Sequence, residues 1–387
     1  MYHLSKIRLP KGGPLIFVLS TFLITLAMPL IAPVFPMYTK TFVKTDAMVG
    51  YLTAFLMFLY LVSNLFVGKL LERFSRVRLL MISTLVYSAT LMILLYISNV
   101  YEFIALAVFR SISLVAIVIT IGLLVRENSE RSKLGKVEGW FYVVSNSAWM
   151  IGPLIGGYIA LKFDYAGVFL VAALFPLLFF FLLFSEKLRE KRIIIKHEHS
   201  WNAIKEFFKR KDMRVVYLLS AGIMLWWGFI YTFVPLYLTE HAYNPAEIGY
   251  VLFALVIPLI LLEMPVGRWA DRKGCRRFLT LGFSIMGIFA LLAFFSSVGM
   301  SVWFIILASF GAAFIEPLLE FFFFTKLNDR DEVRFYPVYK TSIDFGKIVG
   351  MIIFSSLLLF FSFKSLFLFL GTALALFAIA AYVFVRD

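Results

Sequence analysis

Apolar runs of membrane-spanning length alternate along this chain with short charged segments, and the alternation continues from end to end. Twelve runs fall near residues 15–38, 47–67, 79–98, 102–125, 137–161, 166–185, 215–238, 247–266, 278–297, 302–325, 336–360 and 365–385. About twenty helical residues cover the roughly 30 Å of a bilayer's hydrocarbon core. The pattern therefore predicts an all-α membrane protein with twelve transmembrane helices. The first run is too long for a signal peptide and lacks a small-residue cleavage site, so it counts as a membrane helix. Residues 186–214 form the longest polar stretch and separate six runs from six, dividing the chain into an N-terminal bundle (1–185), a linker (186–214) and a C-terminal bundle (215–387). Within the linker Trp201, Ile204, Phe207 and Phe208 recur at helical spacing among Lys205, Lys209, Arg210 and Lys211. That spacing predicts an amphipathic helix lying on the anionic inner leaflet.

The two halves repeat one another. Gly68-Lys-Leu-Leu-Glu72-Arg73-Phe-Ser75-Arg76-Val-Arg78 returns as Gly267-Arg-Trp-Ala-Asp271-Arg272-Lys-Gly274-Cys-Arg276-Arg277, an offset of 199. The same offset of 199 maps Pro36 onto Pro235, Tyr38 onto Tyr237, Gly50 onto Gly249 and Leu80 onto Leu279. Each copy joins two apolar runs, so the expected architecture is a pair of pseudo-symmetric six-helix bundles. Duplicated bundles of this kind are characteristic of secondary transporters.

Composition agrees: 62% of residues are hydrophobic and 45 are phenylalanine, with mean hydropathy +0.92. A soluble chain of this length could not cover its surface with so few polar groups. The net charge of +14 suggests nucleic acid until its distribution is examined. Of the 37 Lys and Arg, 30 fall in the termini and alternate loops on one side. The other side holds Lys40, Lys44, Lys162 and Lys364. This positive-inside bias predicts a multi-pass protein of the cell membrane with both termini cytoplasmic. Cys275 is the single cysteine, and His3, His197, His199 and His241 all lie outside the apolar runs, so neither a disulfide nor a metal site is expected. No cofactor motif appears, and no phosphate-binding glycine loop points to ATP. Nor is there a catalytic triad order or appended soluble domain, which argues against an enzyme. One twelve-helix chain encloses a complete pathway, so a monomer is expected.

Six charged residues lie inside the apolar runs away from their ends: Arg110, Glu316, Glu320, Lys340, Asp344 and Lys347. At about 3 kcal/mol each, exposing six to lipid would cost on the order of 18 kcal/mol. Three positive and three negative charges suggest a mutually neutralising set around a central cavity. Glu316 and Glu320 are one helical turn apart, which disfavours simultaneous ionisation and suits a proton carrier. Lys340, Asp344 and Lys347 share one helix face. Trp226, Trp227 and Tyr231 in the seventh run are candidate aromatic walls for an apolar or cationic substrate.

The repeated turn resembles motif A of the major facilitator superfamily, and the resemblance extends over helix count, repeat, linker and orientation. The second copy follows that motif at Gly267, Asp271, Arg272, Gly274, Arg276 and Arg277; the first, with Gly68, Arg73 and Arg76, departs at Glu72 and Ser75. The glycines are expected to admit close helix approach. A carboxylate in the turn can accept hydrogen bonds from a helix N-terminus, with the eleventh run, opened by Arg334–Pro337, and the fifth run, near Ser132–Lys136, as candidate partners. The resemblance implies that Glu72 and Asp271 form a cytoplasmic latch favouring the outward-facing state. In the fifth run Gly139, Ala148, Gly152, Pro153, Gly156 and Gly157 resemble motif C of proton-driven antiporters, with Ala148 in place of glycine. Arg110 resembles the proton-coupling arginine of motif B, although Ser113 and Leu114 replace the usual glutamine and glycine.

The expected function is proton-coupled antiport of a small amphipathic, drug-like compound by alternating access, with small molecule, protons and bilayer as the partners. The alternative is a symporter or facilitator taking up a sugar or other metabolite.

Overall fold

The computed structural model describes residues 13–128, 134–185 and 201–385. Among them lie thirteen helices: α1 (Gly13–Ile31), α2 (Phe35–Lys40), α3 (Asp46–Arg73), α4 (Arg76–Ile93), α5 (Val100–Asn128), α6 (Leu134–Ser185), α7 (Trp201–Lys209), α8 (Lys211–Glu240), α9 (Pro245–Lys273), α10 (Cys275–Phe295), α11 (Val298–Thr325), α12 (Asp329–Leu358) and α13 (Ser365–Phe384). Ten stretches are long and apolar enough to cross a membrane, and one of these runs 42 residues, Val143–Phe184 within α6. A straight helix of that length would span about 60 Å, twice the bilayer core. The backbone breaks at Phe163 (φ −133°, ψ 15°) and Asp164 (φ 54°, ψ −164°), so α6 carries both the fifth and the sixth runs.

Proline sets the break in the first run. Pro33 disfavours helix at Ala32 and cannot donate a backbone hydrogen bond. Helix α1 stops at Ile31, and tight turn bonds (Ala32 N–H to Pro29 O, 3.2 Å; Val34 N–H to Ile31 O, 3.1 Å) carry the chain into α2. The eleventh run starts earlier than expected. Asn328 caps α12 by accepting the Asp331 N–H at 2.9 Å. Pro337 therefore lies inside α12, not in its opening turn.

Two compact units account for the packing. Unit 1 comprises Met1–Tyr38, Phe58–His197 and Asn244–Gly249; unit 2 comprises Thr39–Met57, Glu198–Tyr243 and Tyr250–Asp387. The opening turns of α3 thus belong with unit 2 and those of α9 with unit 1. In unit 1, Val67, Leu79, Val115 and Ala116 form a buried apolar cluster. Unit 2 is built on aromatic packing: Phe229 meets Phe354 at 5.0 Å and Phe367 at 5.4 Å between ring centroids.

The two copies of the charged turn solve one geometric problem differently. Gly274 precedes α10 with φ 80° and ψ 157°, a region closed to residues with a side chain. At the equivalent place Ser75 has φ −67° and ψ 148°, and its hydroxyl caps α4 by accepting the Arg78 N–H at 3.3 Å. The serine that departs from the motif is a helix cap. Gly274→Ala is expected to cost about 1–3 kcal/mol, whereas Ser75→Gly should cost only a few tenths. Thermal unfolding of the two purified variants checks this ranking, and equal losses would contradict it.

Helix α7 docks part of its apolar face within unit 2. Phe207 is fully buried in unit 2, its ring 5.6 Å from Phe335 and 6.1 Å from Tyr217. Ile204 and Phe208 remain exposed. Polar clasps hold the helix in place. Arg334 pairs with Glu206 at 2.8 Å, and Arg210 pairs with Asp331 at 3.2 Å while donating to Lys326 O at 2.7 Å. The side chain of Trp201 lies outside the described residues.

Candidate functional site

Helices α8, α11 and α12 of unit 2 bring five of the six intramembrane charges into one neighbourhood. Glu316 and Glu320 project one turn apart from α11 and take different partners. Glu316 Oε1 accepts the indole N–H of Trp227 on α8. Trp227 in turn stacks on Tyr231, with centroids 5.6 Å apart and planes at 23°. Glu320 accepts the Tyr336 hydroxyl at 2.8 Å and pairs with Lys340 at 3.1 Å. The Lys340 ammonium also lies 4.9 Å from the centre of the Tyr336 ring. The two carboxylates therefore have distinct environments, one tied to a cation and the other hydrogen-bonded to a neutral donor.

Lys347 enters beside α8 one residue past Trp227, its Cα 3.7 Å from where a Cβ on Gly228 would stand. It lies in electrostatic range of Asp344 and Glu316, and no ion pair closes with either. Trp226 is fully buried, its ring taken up by packing. Of the three aromatic candidates only Trp227 and Tyr231 join the carboxylate.

The sixth charge stands elsewhere. Arg110 on α5 belongs to unit 1, where its guanidinium lies over the Phe35 ring, Cζ 4.5 Å from the centroid. Of the five charges in unit 2, Lys340 and Glu320 close an ion pair. An aromatic face serves Arg110 instead, because cation–π attraction needs no buried anion.

The motif C-like positions sit where α6 meets its neighbours in unit 1. A Cβ on Gly156 would stand 1.8 Å from Leu30 O, and one on Gly152 would stand 2.9 Å from Pro29 Cβ. A Cβ on Gly157 would stand 2.3 Å from Pro245 O, and the Pro153 carbonyl approaches Gly249 in the same contact. Ala148 is fully buried. Gly139 lies on α6 with its surroundings outside the described residues.

At the turn glycines, a Cβ on Gly68 or Gly267 would meet nothing within 4 Å among the described residues. Arg76 is buried, and Arg276 stacks over Tyr382 of α13 with Cζ 4.4 Å from the ring centre. Arg73 makes further polar or ring contacts. The side chains of Glu72, Asp271 and Arg272 lie outside the described residues.

A family model for the Major Facilitator Superfamily matches residues 17–257 and again 227–387, which together span nearly the whole chain. The chain belongs to the Major Facilitator Superfamily. It is similar to Multidrug resistance protein 2 of Bacillus subtilis (strain 168), at 24% identity over 296 residues, 73% of this chain and 72% of that one. It is also similar to Multidrug resistance protein MdtG of Klebsiella pneumoniae (strain 342), at 24% identity over 369 residues, 90% and 88% of the two chains. Among solved structures it matches a POT family transporter in complex with 5-aminolevulinic acid, with a TM-score of 0.77 and 12% identity, covering 96% of this chain and 95% of that one. At that identity the likeness is one of fold. The expected all-α membrane transporter fold is borne out.

Sequence reasoning did not find Tyr336 as a partner of Glu320 in this superfamily member. Its signal was available: Tyr336 precedes Lys340 by one helical turn, which stacks both on the face of α12. The aromatic support of Arg110 left no such trace, because Phe35 is far away in sequence.

Proposed function

We propose that this protein is a proton-coupled antiporter that exports a small amphipathic, drug-like compound by alternating access. It works as a monomer in the cell membrane, with both termini in the cytoplasm and without ATP. The distribution of basic residues, 30 on one side and four on the other, supports the orientation. Relatives named for multidrug resistance support the export of drug-like compounds.

One observation carries the coupling: Glu316 is hydrogen-bonded to the Trp227 indole beside the stacked Tyr231 ring. An indole N–H can donate to a carboxylate or to the carbonyl oxygen of a protonated acid. Glu316 can therefore lose and regain its proton without breaking the contact that positions it. The aromatic pair offers a π surface to an apolar or cationic substrate arriving when the carboxylate is charged. Substrate and proton would then compete for one group, which is the requirement for antiport. Glu320, with Lys340 as standing counter-charge, holds α11 to α12. The repeated charged turn, through Glu72 and Asp271, acts as the cytoplasmic latch.

Reconstitution tests this reading. Proteoliposomes with an imposed pH gradient are offered lipophilic cations, sugars and amino acids, and proton movement is recorded with each. Proton flux opposite to a lipophilic substrate is expected. Flux in the same direction, or substrate movement without protons, would overturn antiport.

A further inference from the structure

Arg110 is an intramembrane cation with no acidic partner among the described residues of unit 1. A charged side chain within a membrane span is costly and is retained where it pairs or does work. Among the described residues its electrostatic neighbours are Tyr38 and Tyr87, both neutral phenols. Tyr38 spends its hydroxyl hydrogen on Leu94 O. Tyr87 is almost wholly enclosed.

What holds Arg110 is the Phe35 ring beneath the guanidinium, at 4.5 Å. Phe35 is itself backed by Phe103, with centroids 6.0 Å apart, and Phe103 by Tyr38 at 6.3 Å. A cation–π contact occupies one face of the guanidinium and leaves the N–H fork, which lies in its plane, available. Arg110 is half-buried, and no protein acceptor among the described residues takes those N–H groups. The planar fork matches a carboxylate with two parallel hydrogen bonds. A desolvated cation on an aromatic bed, with its donors open, is a binding site for an anion that has an apolar body.

We propose that Arg110 and Phe35 form an anion subsite in unit 1 that takes the carboxylate of an aromatic or aliphatic organic acid. The fork would hold the carboxylate and the partly exposed Phe35 ring would meet the apolar part. The inference rests on the reading of the chain as a transporter of small amphipathic compounds and extends it to those that also bear an acid group.

Equilibrium binding to the purified full-length protein tests it, with benzoate, its neutral analogue benzamide, and inorganic phosphate as probes. Saturable benzoate binding with a raised unfolding temperature is expected, and benzamide should bind at least about tenfold more weakly, since the charge-assisted fork is lost. Arg110→Gln should weaken benzoate by about tenfold or more, and Arg110→Lys should restore part of it, because lysine keeps the charge without the fork. Should the glutamine variant fail to fold, the lysine variant and Phe35→Leu carry the comparison, each expected to weaken benzoate while leaving benzamide unchanged. Equal binding of benzoate and benzamide, undiminished benzoate binding in the variants, or phosphate outcompeting benzoate at equal concentration would overturn the proposal. Binding needs no pH gradient, so its failure leaves proton antiport standing, and a failure of proton coupling leaves the subsite standing.

Discussion

Glu316→Gln is expected to abolish proton-driven export while the protein still folds, inserts and carries substrate down its gradient. Glutamine keeps the size of the side chain, and its amide oxygen can still accept the Trp227 indole N–H that Glu316 accepts now. The contact between α8 and α11 therefore survives the substitution. What disappears is the ability to change charge. A positioned proton-transfer group contributes roughly 10²- to 10⁴-fold to a rate that depends on it, so substrate-driven proton flux should fall at least on the order of 100-fold. Downhill counterflow of labelled substrate should fall far less. Glu320→Gln provides the contrast, since it strips Lys340 of the carboxylate that it meets at 3.1 Å. That variant should lose stability without losing coupling altogether. Both readouts come from one set of proteoliposomes. Coupled flux at the wild-type level in Glu316→Gln would remove this residue as carrier and turn attention to Asp344 on α12.

What the sequence could and could not disclose follows from the range of the interactions involved. The spans were legible because bilayer thickness fixes how many apolar residues a helix needs, and that count is local in the chain. The break within α6 was legible as a short polar gap between the fifth and sixth runs, and the structure puts it at Phe163 and Asp164. The pairing of charges was not. Counting three positive and three negative residues gave a neutral total, but neutrality of a sum does not place Arg110 near a carboxylate; it rests on Phe35 instead. Likewise the hydrophobic spacing of α7 revealed an amphipathic helix but not its dock. Burial of Phe207 against Phe335 depends on a residue more than a hundred positions away, as does the Arg334–Glu206 clasp. Ser75 shows the opposite case. Its departure from the glycine pattern looked like a weakened motif, and a local cap explains it completely.

Gly156→Val is expected to be the most destabilising single change in unit 1, at about 3 kcal/mol or more, because the overpacking is against backbone and cannot relax by rotamer change. A Cβ at this position would stand 1.8 Å from Leu30 O and 2.8 Å from Leu30 C. Neither atom can swing aside; α1 would have to retreat as a whole. Retreat would also open the contact one turn earlier, where a Cβ on Gly152 already stands 3.0 Å from Leu30 N. The valine adds two methyl groups beyond that Cβ, so the mismatch grows outward from the contact. Gly68→Ala supplies the control, since a Cβ there meets nothing within 4 Å and alanine favours helix by about 1 kcal/mol over glycine. The motif A-like glycine should thus tolerate what the motif C-like glycine cannot, when the unfolding temperatures of both purified variants are compared. A wild-type unfolding temperature for Gly156→Val would mean that α1 and α6 are not locked at Leu30. The proposed alternating access would require each bundle to move as a rigid body. Helix α1 can follow α6 through that motion only while their backbones stay in contact.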